Sequence, residues 1–91
     1  MSIYEEIKKE REYQDRKWGH HADDNLNTPW MWVSYIGHYA TTWMAGTFSL
    51  NSSMTDNFRT AMVKVAAIAV AAIESIDRQR AQNGKTFYEV K

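Results

Sequence analysis

Residues 58–78 read FRTAMVKVAAIAVAAIESIDR, and this stretch decides the fold. Phe58, Met62, Val65, Ala69, Ala72 and Ile76 recur at steps of four and three residues, the seam of a helix packed lengthwise against another in a bundle. Ala66, Ala67 and Ala71 flank the seam with small side chains that permit close backbone approach. The helix is expected to start at a cap on Ser53 or Thr55 and to run to about Gln82, where Asn83-Gly84 stops it. A helix of roughly 28 residues is about 42 Å long, more than one shorter partner can cover.

Upstream, Thr28-Pro29 opens a second helix, because proline at the first helical position gives up only an amide that would be unpaired anyway. Trp32, Ile36 with Tyr35, Tyr39 with Ala40, and Trp43 then give it a broad apolar face up to Gly46. A first, short helix begins at the Ser2…Glu5 capping box, carries Ile3, Ile7 and Tyr13 or Trp18 on one side, and ends at Gly19. The segment from His20 to Asn27 has no hydrophobic period and reads as a loop. The expected fold is all-α: a short N-terminal helix plus a two-helix antiparallel hairpin with a long C-terminal helix, in a single domain over 1–84 with a tail at 85–91. Oligomerisation, to a dimer or higher, is expected to complete the bundle.

Composition narrows the function. Eleven basic and eleven acidic residues cancel, which removes the positive field expected of nonspecific nucleic-acid binding, and single-strand binding by aromatics with scattered Lys and Arg is the weakest of the readings. With no cysteine there is no disulfide, thiolate metal site or cysteine nucleophile. The start, charged from Glu5 onward, lacks the apolar core of a signal peptide, and the apolar run from Val65 to Ile73 is half the length of a membrane span, so a cytoplasmic protein without a membrane partner is expected.

Three sets of side chains carry possible chemistry. His20, His21, Asp23 and Asp24 are metal-ligand types, but their spacing matches no zinc pattern and they read as a solvated loop. The aromatics Trp18, Trp30, Trp32, Tyr35, Tyr39 and Trp43 are core material first and stacking platforms for a nucleobase second. Glu74 and Asp77 lie one turn apart on one helix face, a pair that holds Mg²⁺ only with further oxygens from elsewhere. His38 completes the inventory; no nucleophile with a neighbouring base is evident, so no catalytic residue is assigned.

EREYQDRKWG near the start, the Trp-led middle helix and FRTAMVKVAAIAVAAIESIDR together resemble small bacteriophage proteins allied to the all-α MazG-like nucleoside triphosphate pyrophosphohydrolases, from about Glu10 to Arg80. The resemblance implies Mg²⁺ held by an E-E-x-x-E cluster on one helix and an E-x-x-D pair on the next. Here Gly37 and His38 fall where the paired glutamates would be, and Ala61 and Lys64 align with the E-x-x-D. A lysine there repels a metal and meets a phosphate instead. With those acids replaced, the chain is expected to be a non-catalytic binding protein in the host cytoplasm, without a cofactor. Its ligand would be a nucleotide held by Trp30, Trp32, Tyr35, His38, Tyr39, Arg59 and Lys64, or its partner a host protein. The alternative is a Mg²⁺-dependent pyrophosphohydrolase assembling Glu74, Asp77, Asp23 and Asp24 across subunits.

Overall fold

The computed structural model describes residues 1–44 and 51–89. Among them are three helices and no strand: α1 (Ile3–Asn25), α2 (Pro29–Thr42) and α3 (Ser52–Asn83). None of the helices is long and apolar enough to cross a membrane. The start of α1 is fixed as the sequence indicates, with Ser2 Oγ accepting from the Glu5 amide at 3.1 Å. Thr28 precedes Pro29 in extended backbone but makes no side-chain cap bond. At α3 the cap is Asn51 rather than Ser53 or Thr55; its Oδ1 accepts from the Met54 amide at 2.8 Å. The end of α3 matches expectation, with Gly84 in the left-handed region that ends a helix. The expected end of α2 at Gly46 lies outside the described residues.

Helix α1 differs most from its sequence reading. Gly19 does break it, at φ 75° and ψ 165°, but a further helical turn follows at once, so residues 20–25 are helical and only residues 26–28 link α1 to α2. The glycine acts as a kink rather than a terminator. Its backbone setting is one that only glycine adopts freely, and it turns the last turn of α1 onto α3.

Both α1 and α2 pack on α3. Glu6 pairs with Arg59 at one end of α1 and Asp24 with Arg78 at the other, so α1 runs parallel to α3. The Trp43 ring meets that of Phe58 at 5.1 Å while Trp32 packs with Ile68 and Ala71, so α2 runs antiparallel. Between α1 and α2 no direct helix packing forms, and a trough floored by α3 separates them.

The face of α3 that meets these helices is not the expected seam. Buried are Ala61, Ala67, Ile68, Ala71, Ser75 and Gln79, whereas Met62, Val65, Ala69, Ala72 and Ile76 are half-exposed and Phe58 is exposed. A helix that is apolar all round in its middle has no unique hydrophobic seam, so hydrogen bonding chose the face. Ser75 Oγ donates to Asp24 Oδ1 at 2.6 Å, and Gln79 reaches both Ser75 Oγ and the amide of Phe87. The inner face of α1 is likewise polar: Arg11, Gln14 and Asp23 are buried, while Ile3, Tyr13 and Trp18 are exposed. Arg11 Nη2 reaches Glu74 at 2.6 Å and its Nη1 reaches Asp15 at 2.9 Å. Among the described residues the contiguous apolar core is Trp32, Ile68 and Ala71 with Ile36, Tyr39 and Ala72 around them, and Ala61 and Ala67 are buried beside it. Beyond Gly84 the tail folds back on α3, burying Thr86 and pairing Glu89 with Arg80.

Candidate ligand-binding trough

The deep end of the trough is a cavity of about 250 Å³. Trp32, Tyr35, His38 and Tyr39 of α2 form one wall, Ile68 and Ala71 the floor, and Arg11, Gln14, Asp15, Trp18 and Asp23 of α1 with Asn27 the other wall. The aromatic wall follows from the three- and four-residue spacing of α2, which directs these rings to one side. Trp32 and Tyr35 meet edge to face at 6.2 Å, as do His38 and Tyr39 at 5.1 Å. Indole and phenol faces presented this way stack a flat heterocycle.

The polar wall has one unusual member. Asp23 is only 8% exposed and makes no ion pair among the described residues; its Oδ1 lies 3.4 Å from Asn27 Nδ2. Burial pushes its carboxyl above the usual range, opposed by the charge of Arg78. Its neighbour Asp24 is the reverse case. Burial would raise it too, but hydrogen bonds from Arg78 and Ser75 outweigh that and hold it below the usual range. Asn27 Oδ1 accepts from the Tyr35 hydroxyl at 3.2 Å and so ties the polar wall to the aromatic one. The Gly19 kink brings Asp23 and Asn27 to this position.

Toward the start of α3 the trough opens into a shallower depression of about 380 Å³, lined by Tyr39, Thr42, Trp43, Asn57, Thr60, Ala61 and Lys64. Lys64 stands between the two flanking helices, 3.7 Å from Glu10 of α1 and 5.8 Å from the ring centre of Tyr39 on α2. Tyr39 lines both compartments, and Lys64 precedes Ile68 by one helical turn, about 6 Å. One end of the trough is thus aromatic and rich in acceptors; the other carries an ammonium and hydroxyls.

The chain matches no family model, no curated protein and no solved structure. Its function therefore rests on the site.

Of the side chains singled out in the sequence, Trp32, Tyr35, His38 and Tyr39 come together at the cavity and Lys64 at the shallow end. Trp30 does not: it is 80% exposed and lines neither compartment. Arg59 also lies elsewhere, gripping Glu6 through both terminal nitrogens at 2.9 and 2.6 Å. Two of the four carboxylates of the alternative reading are committed to other partners. Glu74 Oε1 takes Arg11, Asp24 takes Arg78 and Ser75, and Asp77 is exposed. Among the described residues no three His, Asp or Glu side chains gather as a metal would require. Arg11, Gln14 and Asp15 stand in the EREYQDRKWG stretch but carry no site role in the sequence reading, and Asn27 falls in its loop; all four line the cavity. The available signal was negative: after Ile7 the first helix has no regular apolar stripe, so its inner face had to be polar.

Proposed function

We propose that this protein is a non-catalytic nucleotide-binding protein that holds the base in the aromatic cavity and the phosphate at Lys64. The observation that carries this reading is Tyr39, shared between an aromatic compartment and a cationic one. The cavity is below the usual size of a complete small-molecule pocket, about 300–1,000 Å³, which suits enclosure of a flat ring system with the rest of the ligand in the open depression. Lys64 is held by a half-exposed pair with Glu10 and lies over the Tyr39 ring at the outer range of a cation–π contact, interactions of little strength that a phosphate displaces readily. Arg11, by contrast, donates through all three nitrogens to Glu74 and Asp15 and serves as scaffold.

The residues present do not fit a magnesium ion bridging a triphosphate. Such an ion needs several fixed carboxylate oxygens, and the aligned positions hold Gly37, His38, Ala61 and Lys64. Arginine contacts to Glu74 and Asp24 support the same reading. Titration calorimetry in EDTA tests it. Nucleoside monophosphates are expected to bind one per chain, about tenfold or more tighter than their nucleosides, the worth of one charge-assisted hydrogen bond. Lys64→Ala is expected to erase that difference. No heat with any nucleotide refutes the proposal, and metal-dependent release of pyrophosphate from a triphosphate replaces it with a hydrolase.

We also propose that a second copy of the chain packs against the far side of α3. Residues 65–73 are apolar at every position, yet Val70 is 38% and Ile73 60% exposed. A helix apolar on all sides is normally covered on all sides. Zero formal net charge leaves no general repulsion between copies.

A further inference from the structure

The proposed nucleotide site has a chemical polarity that selects among bases. At the closed end of the cavity Asp23 and Gln14 are 8% and 6% exposed, so whatever of them is accessible faces the cavity that they line. Two acceptors there have no donor among the described residues. Asp23 Oδ1 is 3.4 Å from Asn27 Nδ2, and no described residue donates to Oδ2. Among the described residues the Gln14 side chain makes one hydrogen bond, from Nε2 to Glu10 Oε2 at 3.5 Å, the outer limit of such a bond, and nothing donates to its Oε1. The neighbouring polar groups are engaged elsewhere. The Tyr35 hydroxyl donates to Asn27 Oδ1, three of the five Arg11 N–H groups donate to Glu74 and Asp15, and the single Ser75 hydroxyl proton lies between the Asp23 carbonyl and Asp24 Oδ1.

Asp23 Oδ2 is not sealed in the protein, since Thr86 Oγ1 is the only fully buried side-chain polar atom without a partner among the described residues; it is an acceptor open to the cavity, which a ligand that supplies a donor can engage. Ionised carboxylates only accept. The matching base edge therefore presents adjacent N–H groups. Adenine alternates a donor with an acceptor on its pairing edge, cytosine has one amino group beside two acceptors, and uracil sets one N–H between two acceptors. Guanine alone among the common bases has two neighbouring donors, N1–H and the 2-amino group.

Resting on the nucleotide reading above, we propose that the cavity is selective for a 2-amino-6-oxopurine, with Asp23 accepting from both donors of the guanine edge. The sense of the trough agrees, because the pairing edge of a purine nucleotide lies at the opposite end from its phosphate, as Asp23 lies opposite Lys64.

The test is calorimetry in EDTA with GMP, IMP, XMP, AMP, CMP and UMP on the wild type and on Asp23→Asn. GMP is expected to bind tightest. IMP, which lacks the 2-amino group, is expected about tenfold or more weaker, one charge-assisted hydrogen bond. In Asp23→Asn the new amide both accepts and donates, so the preference is expected to move from GMP to XMP, whose N1–H sits beside a 2-oxo group. Equal binding of GMP, IMP and AMP to the wild type overturns the selectivity and leaves nucleotide binding standing; no binding of any of the six overturns both. The wild-type ratio decides the matter even if the variant fails to fold, and a gain for XMP cannot come from unfolding.

Discussion

Replacing Gly19 with alanine isolates the kink that shapes the closed end of the trough. At φ 75° and ψ 165° the residue occupies a region that costs any other residue about 1–3 kcal/mol. A methyl group built there meets nothing within 4 Å, so the whole penalty is conformational rather than steric. Alanine also restricts the unfolded chain, which returns about 0.4–1 kcal/mol. The net loss is about 1–2 kcal/mol, and at about 4–8 °C per kcal/mol in a domain of this size the melting temperature falls by roughly 5–15 °C. Gly37 supplies the internal control. It also has open space around it but lies inside α2 with ordinary helical backbone, so Gly37→Ala is expected to gain about 0.5–1 kcal/mol. Thermal and urea unfolding followed by circular dichroism, at one fixed protein concentration, measures both. Equal responses of the two variants, or a Gly19→Ala protein as stable as wild type, refute the reasoning that the kink is held against its own backbone preference.

The paired aspartates are expected to respond in opposite directions. Asp24, held below its usual range, contributes stability above about pH 4 that is lost as the pH falls through its folded value. Asp24→Asn therefore costs about 2 kcal/mol at pH 7, with the difference from wild type shrinking in acid. Asp23, raised by burial, favours its protonated form in the folded state, so its contribution falls as the pH rises from about 4 through its folded value. Asp23→Asn is expected to equal or exceed wild type in urea unfolding at pH 7. Trp32→Ala empties the centre of a small core at a cost of about 3–5 kcal/mol and is expected to unfold the domain, which the loss of its helical signal reports. Ile73→Asp places a charge on the bare side of α3 and is expected to convert an oligomer to a monomer in sedimentation velocity; an unchanged sedimentation coefficient rejects that interface.

How far the sequence could be read depended on which interaction decided each feature. The existence of three helices, the break at Gly19 and the stop at Gly84 are written in local backbone chemistry, and Trp32, Ile36 and Tyr39 declare the inner face of α2 by hydrophobic spacing. For α3 the spacing misled by one residue, because VAAIAVAAI offers every face equally and Ser75 and Gln79 settled the choice through partners more than fifty residues away or in the tail. In α1 the Asp and Asn residues after Gly19 favour turns by their local chemistry, yet the segment is helical, with Asp24 fixed by Arg78 and Ser75. The aromatic half of the candidate site was therefore legible and the polar half was not. Buried Arg11, Gln14 and Asp23 follow no period, and only the fold brings them to face the rings of α2.

The most direct measurement is a ¹⁵N–¹H titration that follows the four tryptophan indole signals as GMP is added with magnesium chelated. Binding in the trough shifts the Trp32 and Trp18 indoles together and saturably, and leaves the 80% exposed Trp30 in place. Movement of Trp30 with Trp18 and Trp32 stationary contradicts the site.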